Sequence, residues 1–302
     1  MSADNTPALS RLAGTVGIWT STHESLPPGR SAEVASELES LGFSAMWIPE
    51  AWGRESFTSA SLLLAGTSSI VIATGIANIF ARDAVSTAAA TRTLNAAYND
   101  RFLLGLGVSH RPLVERLRGH DYATPVENMS EFLSAMDAAP NFSPEGQHPF
   151  AKVIAALGPK MLEVAATKAD GAHPYLVTPE HTAIARAAVG DKFVGVEQAV
   201  VLGESREEFL RRAHAHLEIY TGLPNYRNSW RRLGFSEDDF VRGGSDRLCD
   251  ALVVHGDEAT IMERVKDHQQ AGADHVCLQV LGADLSVVPT NEWRALGAAL
   301  PA

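Results

Sequence analysis

Two apolar segments separated by one alanine-rich segment constrain the fold of this chain more than any other feature. The first, Ser69–Asn78, is rich in β-branched residues, and the second, Arg101–His110, is apolar through its centre. Between them, residues 83 to 97 contain no glycine or proline, which predicts a helix that crosses from one strand to the next. Strands joined by such a crossover lie parallel, so the whole stretch predicts a β-α-β unit.

Both predicted strands end in small or polar residues. These are Gly75, Ala77 and Asn78 in the first strand, and Gly107, Ser109 and His110 in the second. Small side chains leave room beside the backbone, and ligands of parallel α/β folds bind at the carboxyl ends of the strands. The sequence therefore predicts a ligand site at this end of the sheet.

The rest of the chain continues the alternation of strands and helices, which gives eight predicted strands in all. We expect a (β/α)8 TIM barrel that carries a mostly helical insertion after strand seven, between Glu204 and His255. With 302 residues and 45% hydrophobic content, a single domain over residues 1–302 is expected, with residues 1–13 as a flexible tail. The six further strands are Thr15–Thr20, Ala45–Ile48, Lys152–Leu157, Gly171–Val177, Val194–Leu202 and His275–Val280.

Composition argues against several classes of partner. Acidic residues outnumber basic ones by 36 to 25, so a general basic field for nucleic acid or an anionic membrane is not expected. Cys249 and Cys277 lack metal-type spacing and are expected to be reduced and structural, and no metal site is predicted. Since Met1–Leu12 has no apolar signal core and no run of 18 apolar residues occurs, we expect a cytoplasmic protein.

Five short motifs, in this order along the chain, resemble the luciferase-like monooxygenase superfamily. They are most similar to its actinobacterial branch, which uses the deazaflavin coenzyme F420. The similarity extends from about residue 15 to residue 282. The motifs are Pro49–Arg54, Ala73–Asn78, Asn99–Gly107, Ala156–Met161 and Ala169–Tyr175.

The resemblance implies a bulge in the third strand that supports the back of the flavin-like ring. It places the bulge at Gly75, Ile76 and Ala77, next to Asn78, with a non-prolyl cis peptide expected at Gly75–Ile76. Without the resemblance, Gly75 would be read as a glycine filling a crowded corner of an ordinary strand. The resemblance also implies that Glu50, after strand two, contacts the cofactor.

A phosphate site is expected where strand five passes into the next helix. Gly158 lacks a Cβ, Pro159 suits the first helical turn, and the following N–H groups are free to bind an anion. The resemblance places the cofactor phosphate here, with Lys160 as an added charge; alternatively, Lys160 is a solvent-exposed side chain of a plain junction. Further contacts are expected from Gly107 and Ser109.

His110 is the leading acid-base candidate, because an imidazole titrates near neutral pH and this one follows a strand. The alternative is a hydrogen-bonded loop histidine. Some sugar dehydrogenases of the family carry a histidine where this chain has Ala51, and a glutamate where it has His110, so a sugar-phosphate substrate is disfavoured. Glu50 and His173 are the other candidates for proton transfer, although a histidine such as His173 is more often structural than catalytic. Trp19 and Trp52 are expected to line an apolar substrate pocket with His173.

These features together predict an F420-dependent oxidoreductase that transfers a hydride between the cofactor and a small organic substrate. Two alternatives remain: an FMN-dependent monooxygenase, and a flavin- or deazaflavin-binding protein without catalysis. A deazaflavin transfers hydride and activates oxygen poorly, so a dehydrogenase or reductase is expected rather than an oxygenase. The expected partners are the cofactor and a small-molecule substrate, and a homodimer is possible.

Overall fold

A computed structural model describes residues 7–51, 53–144, 146–284 and 286–301. Trp52, predicted to line the substrate pocket, lies outside these described residues. Eight parallel strands close into a barrel in the order β1-β2-β3-β5-β6-β7-β8-β10, and β10 pairs with both β8 and β1. The strands are β1 Thr15–Trp19, β2 Ala45–Ile48, β3 Val71–Thr74, β4 Ala77–Asn78, β5 Phe102–Gly107, β6 Lys152–Ile154, β7 Gly171–Ala172, β8 Phe193–Leu202, β9 Val253–Gly256 and β10 His275–Val280.

Helices surround this barrel, and the (β/α)8 architecture predicted from the sequence is confirmed. A strand is present within each of the eight predicted ranges, although β6 and β7 cover only the beginnings of theirs. The predicted crossover helix is α4, capped by the Asp83 side chain. The helices are α1 Pro7–Leu12, α2 Pro28–Ser40, α3 Ser56–Ala65, α4 Ala84–Ala97, α5 Pro125–Asp137, α6 Pro159–Lys168, α7 Pro179–Val189, α8 Arg206–Tyr220, α9 Pro224–Arg232, α10 Asp246–Leu252, α11 Glu258–Gln270 and α12 Thr290–Ala298. None of the helices in the described ranges is long and apolar enough to cross a membrane.

The insertion after β8 contains helices α8, α9 and α10, as expected, and also a strand that the sequence analysis missed. That strand, β9, pairs in parallel with the end of β8, from Ala199 to Leu202. The sequence pattern does not separate this strand from the helical stretch, because β9 has only four residues and directly follows α10. The insertion has its own core, in which Phe209, Leu217 and Trp230 are fully buried.

The N-terminal segment differs from the expected flexible tail. Residues 7–12 form α1, and Leu9 and Leu12 are buried against the apolar side chains inside the barrel, such as Ala45 and Leu103. The helix therefore covers the amino-terminal end of the strands. Buried apolar contacts of this kind fix a segment that sequence polarity alone describes as loose.

Arg101, at the start of β5, is buried at the same end of the barrel. Its guanidinium donates hydrogen bonds to the carbonyl oxygens of Leu64, Thr67 and Ile70, and to the hydroxyl of Thr67, at 3.0 to 3.1 Å. These bonds supply donors to carbonyls at the end of α3 and in the following turn, where the Leu64 carbonyl otherwise accepts only weak bonds from Thr67, at 3.3 and 3.4 Å, among the described residues. Cys249 and Cys277 are both free and buried, in keeping with the structural role predicted for them.

We predict that Arg101→Met lowers the free energy of unfolding by roughly 2–4 kcal/mol, because three buried carbonyls lose a charged donor. Urea unfolding followed by circular dichroism measures the change. Arg30→Met is the matched control, since Arg30 is exposed and pairs only with Glu33; it should shift stability by no more than about 0.5 kcal/mol. Equal effects of the two substitutions would contradict the role assigned to Arg101.

Candidate active site

The third barrel strand is interrupted where the site was predicted. Strand β3 ends at Thr74, β4 resumes at Ala77, and the peptide bond between Gly75 and Ile76 is cis, as expected. Two hydrogen bonds fix Gly75: its N–H donates to the Ile48 carbonyl at 2.8 Å, and its carbonyl accepts from Trp19 Nε1 at 2.9 Å. The interruption is therefore held by its neighbour β2 and by a side chain from β1.

Glycine is required at two positions around this interruption. A Cβ on Gly75 would lie 2.7 Å from Trp19 Nε1 and 3.1 Å from His173 Nε2. A Cβ on Gly107 would lie 2.5 Å from the Ile76 side chain. Gly107 thus makes room for Ile76, whereas the sequence analysis expected it to admit a ligand. Ser109, two residues on, has a left-handed backbone and accepts a hydrogen bond from the Tyr122 hydroxyl through its carbonyl.

Glu50 is buried and fully engaged. It forms a bidentate ion pair with Arg82 and accepts hydrogen bonds from the backbone N–H groups of Asn78, at 2.8 Å, and Ser56, at 3.3 Å. A carboxylate offers about four acceptor positions, so these donors occupy all of them. The contacts join the end of β2 to β4 and hold the interruption from its far side.

His173 lies beneath the interruption inside the barrel. Its Nδ1 is 2.8 Å from the Gly195 carbonyl, which can only accept, so Nδ1 carries the proton. Its ring stacks on Trp47 with 4.2 Å between centroids, and Nε2 is buried without a partner in the described chain. Burial lowers the pKa of His173 to about 4, so the ring is neutral at pH 7.

His110 follows β5 and is partly buried. Its ring lies 5.9 Å from the Tyr226 ring, and neither of its nitrogens bonds to a described residue. Burial lowers the pKa of His110 to about 4. At neutral pH this imidazole is therefore uncharged and can accept a proton, which corrects the expectation that it titrates near its ordinary value.

The predicted phosphate turn forms the amino terminus of α6. Gly158 is the N-cap without a side-chain hydrogen bond, and Pro159 is the first helical residue. The next two N–H groups, of Lys160 and Met161, have no carbonyl to bond within the helix. The imidazole of His181 holds the preceding Leu157 carbonyl at 3.0 Å.

A cation that the sequence analysis did not indicate, Arg232, lies beside this turn. The guanidinium of Arg232, at the end of α9, would be 3.5 Å from a Cβ on Gly158, and it makes no hydrogen bond or ion pair to the described residues. Lys160, whose role as an added charge stays a prediction, is exposed and lines a cavity of about 370 Å³ between α5 and α6, along with three glutamates: Glu127, Glu131 and Glu163. Arg232 thus adds positive charge where the helix N-terminus already favours an anion.

Aromatic side chains cover the carboxyl end of the barrel, which we call the barrel mouth. Five of them form what we call the aromatic cap: Tyr175, His216, Tyr220, Tyr226 and Trp230. Tyr175 follows β7 and lies 5.4 Å from Trp19, while the insertion supplies the other four. Neighbouring ring centroids in the cap are 4.9 to 5.7 Å apart. Trp19 therefore lies at the mouth, and its role in lining a substrate pocket stays a prediction.

Glu197 is an unusual residue for the interior of a barrel. It is fully buried in β8, one carboxyl oxygen accepts from the Leu176 N–H at 3.0 Å, and the other has no partner among the described residues. Burial raises the pKa of Glu197 to about 8. The carboxyl is therefore mostly protonated at pH 7. No cation among the described residues pairs with it to favour the ionised form.

The structure thus brings most of the predicted residues to one end of the barrel, and it adds several that sequence reasoning missed. A glutamate inside the apolar run Val194–Leu202 was the available signal for Glu197. Neither Arg232 nor Tyr226 had any comparable signal, because each depends on how the insertion packs.

Comparison with known proteins gives a consistent result. The family model described as luciferase-like monooxygenase matches residues 12–275. A candidate coenzyme F420-dependent oxidoreductase of Mycobacterium tuberculosis is 22% identical, over 87% of this chain and 92% of that protein.

Two solved structures share the fold. An F420-dependent secondary alcohol dehydrogenase in complex with an F420-acetone adduct superposes with a TM-score of 0.73 and 13% identity, over 95% of this chain and 98% of that one. The oxygenating constituent of 3,6-diketocamphane monooxygenase of Pseudomonas putida, in complex with FMN, gives 0.68 and 16%, over 95% and 96%.

We predict that Glu197→Gln becomes progressively more stable than the wild type as the pH rises from about 5 to 8. In that range the folded protein holds a proton on Glu197 that the unfolded chain releases, so the wild type loses up to about 1.4 kcal/mol per pH unit. Urea unfolding at five pH values measures the difference. The same substitution at the exposed Glu207 controls for glutamine itself; a pH-independent difference at Glu197 would show that the carboxyl is ionised when folded.

Proposed function

Because the chain belongs to the luciferase-like monooxygenase family, we propose that it is a coenzyme F420-dependent oxidoreductase that transfers a hydride to or from a small organic substrate at the barrel mouth. The observation that carries this proposal is the open α6 N-terminus beside the unpaired Arg232, on the same barrel end as the interrupted third strand. The name of the Mycobacterium tuberculosis relative and the F420-bound alcohol dehydrogenase support the choice of cofactor.

The α6 N-terminus fits a phosphate group. Gly158 presents no side chain, and the Lys160 and Met161 N–H groups are free to donate. Arg232 can pair with the phosphate oxygens through two parallel hydrogen bonds, which a lysine cannot. These groups would hold the phosphate end of the cofactor and leave its ring over the barrel mouth.

The interruption at Gly75 and Ile76 fits the support of a flat ring. Its position is fixed by Trp19, Ile48 and the contact between Glu50 and the Asn78 N–H. We assign Glu50 the role of holding this backbone, since its acceptor positions are already occupied. The ring-supporting surface is therefore formed before any ligand binds.

When bound, the cofactor supplies the chemistry of hydride transfer. The chain supplies a proton acceptor, for which His110 is the best placed group: it follows a strand, it is uncharged at neutral pH, and its nitrogens are free. In substrate oxidation His110 would take the hydroxyl proton. The aromatic cap excludes water from the same space.

FMN-dependent oxygenation is the second candidate, favoured by the FMN-bound relative of the same fold. The α6 N-terminus accepts the phosphate of either cofactor, so the phosphate site does not separate them. Titration of the purified protein with F420 and with FMN, followed by absorbance, separates the two. Turnover with any substrate then excludes a protein that only binds the cofactor.

We predict that Gly158→Val lowers the affinity for F420 by at least tenfold, because a branched side chain displaces Arg232 and screens the helix N-terminus; each factor of ten is about 1.4 kcal/mol. A Cβ at this position meets only Arg232, so the variant should fold. Arg232→Ala should also weaken binding, and its effect should shrink at high salt. Arg231→Ala is the matched control, since Arg231 pairs with Glu237. Normal affinity for F420 in both Gly158→Val and Arg232→Ala would show that the phosphate does not bind at this turn.

For His110→Ala we expect turnover to fall by roughly 100- to 10,000-fold with nearly unchanged cofactor affinity, the usual size of an acid-base contribution. Because burial lowers the pKa of His110 to about 4, the wild-type rate of substrate oxidation should decline only as the pH falls towards that value. The variant should lack this acid limb. An unchanged rate and pH profile would show that His110 lies at the edge of the mouth and takes no part in proton transfer.

A further inference from the structure

The polar groups of the barrel mouth are few, and most are already bonded to the protein. The Tyr220 hydroxyl donates to the Tyr175 hydroxyl at 3.2 Å, which donates to Gln279 Oε1 at 2.7 Å. The indole N–H of Trp19 is used by Gly75, and that of Trp230 by the Leu176 carbonyl. This network aligns the aromatic rings, and its N–H and O–H donors are already used in hydrogen bonds within the protein.

Five polar groups at or below the mouth make no hydrogen bond to the described residues. Three of them, His173 Nε2, His216 Nε2 and Glu197 Oε1, are buried away from solvent. The other two are neighbours. The Tyr226 hydroxyl and the His110 imidazole make no hydrogen bond to the described residues, and their rings are 5.9 Å apart. A hydroxyl can donate, and a neutral imidazole can both donate and accept. Together they can bind one oxygen-bearing group and little else that is polar.

The charged side chains of the described residues around this pair are paired within the protein or lie at the α6 N-terminus; Arg111, next to His110 in the chain, pairs with Glu115. Glu50 is paired with Arg82, and Arg232 lies at the α6 N-terminus, where the phosphate is expected. Burial lowers the pKa of His216 to about 4, so that ring is also uncharged. Glu197 lies below the tyrosines and is mostly protonated at pH 7. A substrate with an acidic group would place a second carboxyl near it, and ionisation of both groups would be unfavourable. An ionised substrate would lose its hydration here without gaining a partner.

We propose that the mouth takes an uncharged, aromatic or otherwise flat apolar substrate with a single hydroxyl or carbonyl oxygen, and that Tyr226 and His110 bind this oxygen. The inference rests on the proposed function, because it deepens the description of the same site. Tyr226 is then a specificity-determining residue: its ring forms the wall of the mouth and its hydroxyl selects for oxygen. In oxidation, the hydrogen on the substrate carbon would leave with both electrons of its C–H bond, as a hydride for which the oxidised cofactor would be the acceptor. The hydroxyl proton would pass to His110 as the C=O bond forms.

The test uses three probes of one shape: benzyl alcohol, toluene and benzoate. Their binding to the F420-loaded protein is measured by quenching of tryptophan fluorescence and by isothermal titration calorimetry, so no turnover is needed. For the wild type at pH 7 we expect benzyl alcohol to bind roughly three- to tenfold more tightly than toluene, the size of one neutral hydrogen bond. Benzoate should bind at least tenfold more weakly than benzyl alcohol.

Variants at Tyr226 separate the hydroxyl from the ring. Tyr226→Phe should lower the preference for benzyl alcohol over toluene severalfold, since only His110 then binds the oxygen, and should leave toluene binding unchanged. Tyr226→Leu should weaken both probes about tenfold, because an aromatic wall is lost. Tyr98→Phe is the matched control, since Tyr98 follows α4 at the opposite end of the barrel and contacts Ser61.

Each outcome has a defined meaning. Equal binding of benzoate and benzyl alcohol, a preference for benzyl alcohol that is undiminished in Tyr226→Phe, or no binding of either neutral probe up to its solubility limit would overturn the inference. Failure of F420 to bind would instead remove the proposed function. In that case the probes are titrated against the FMN-loaded or cofactor-free protein, where the same preferences still support the inference.

Discussion

The position of the Gly75 and Ile76 backbone is the constraint on which the rest of the site depends. It is set from three sides: by the Ile48 carbonyl, by the Trp19 indole, and by the Glu50 carboxylate through the Asn78 N–H. Because Glu50 is itself fixed by Arg82, the interruption of the third strand belongs to a buried ionic and hydrogen-bonded network. Its shape therefore does not require a ligand, and the side chains packed against it are positioned in advance.

The second property of the site is that its buried titratable side chains are uncharged. Desolvation lowers the pKa values of His110, His173 and His216 and raises that of Glu197, so four titratable groups near the barrel mouth are all mainly neutral at pH 7. Positive charge is concentrated instead at the α6 N-terminus, beside Arg232. The mouth thus separates a region suited to an anionic phosphate from one suited to an uncharged reacting group.

Residues with strong local signals form the elements that the sequence predicts. The β-branched runs predicted the strands, and Gly158 followed by Pro159 predicted a helix start. Features that depend on long-range packing have no such signal. Lys160 lines a cavity between helices, Gly107 accommodates Ile76, and residues 7–12 pack as a helix against the barrel. In each case tertiary packing, which has no local sequence pattern, decided the outcome.

The sequence by itself determined the alternation of strands and helices, and hence the barrel, because hydrophobic periodicity and glycine or proline positions act over a few residues. It also determined which strand ends carry small and polar residues. Only the tertiary structure decided that Arg232, from the insertion, lies beside Gly158, that Tyr226 faces His110, and that Glu197 is buried without a full set of partners. The first two juxtapositions join residues 74 and 116 positions apart and arise from packing of the insertion on the barrel. Glu197 instead bonds to the Leu176 N–H, 21 positions earlier, through the packing of β8 beside the end of β7. Local propensity does not encode such long-range contacts.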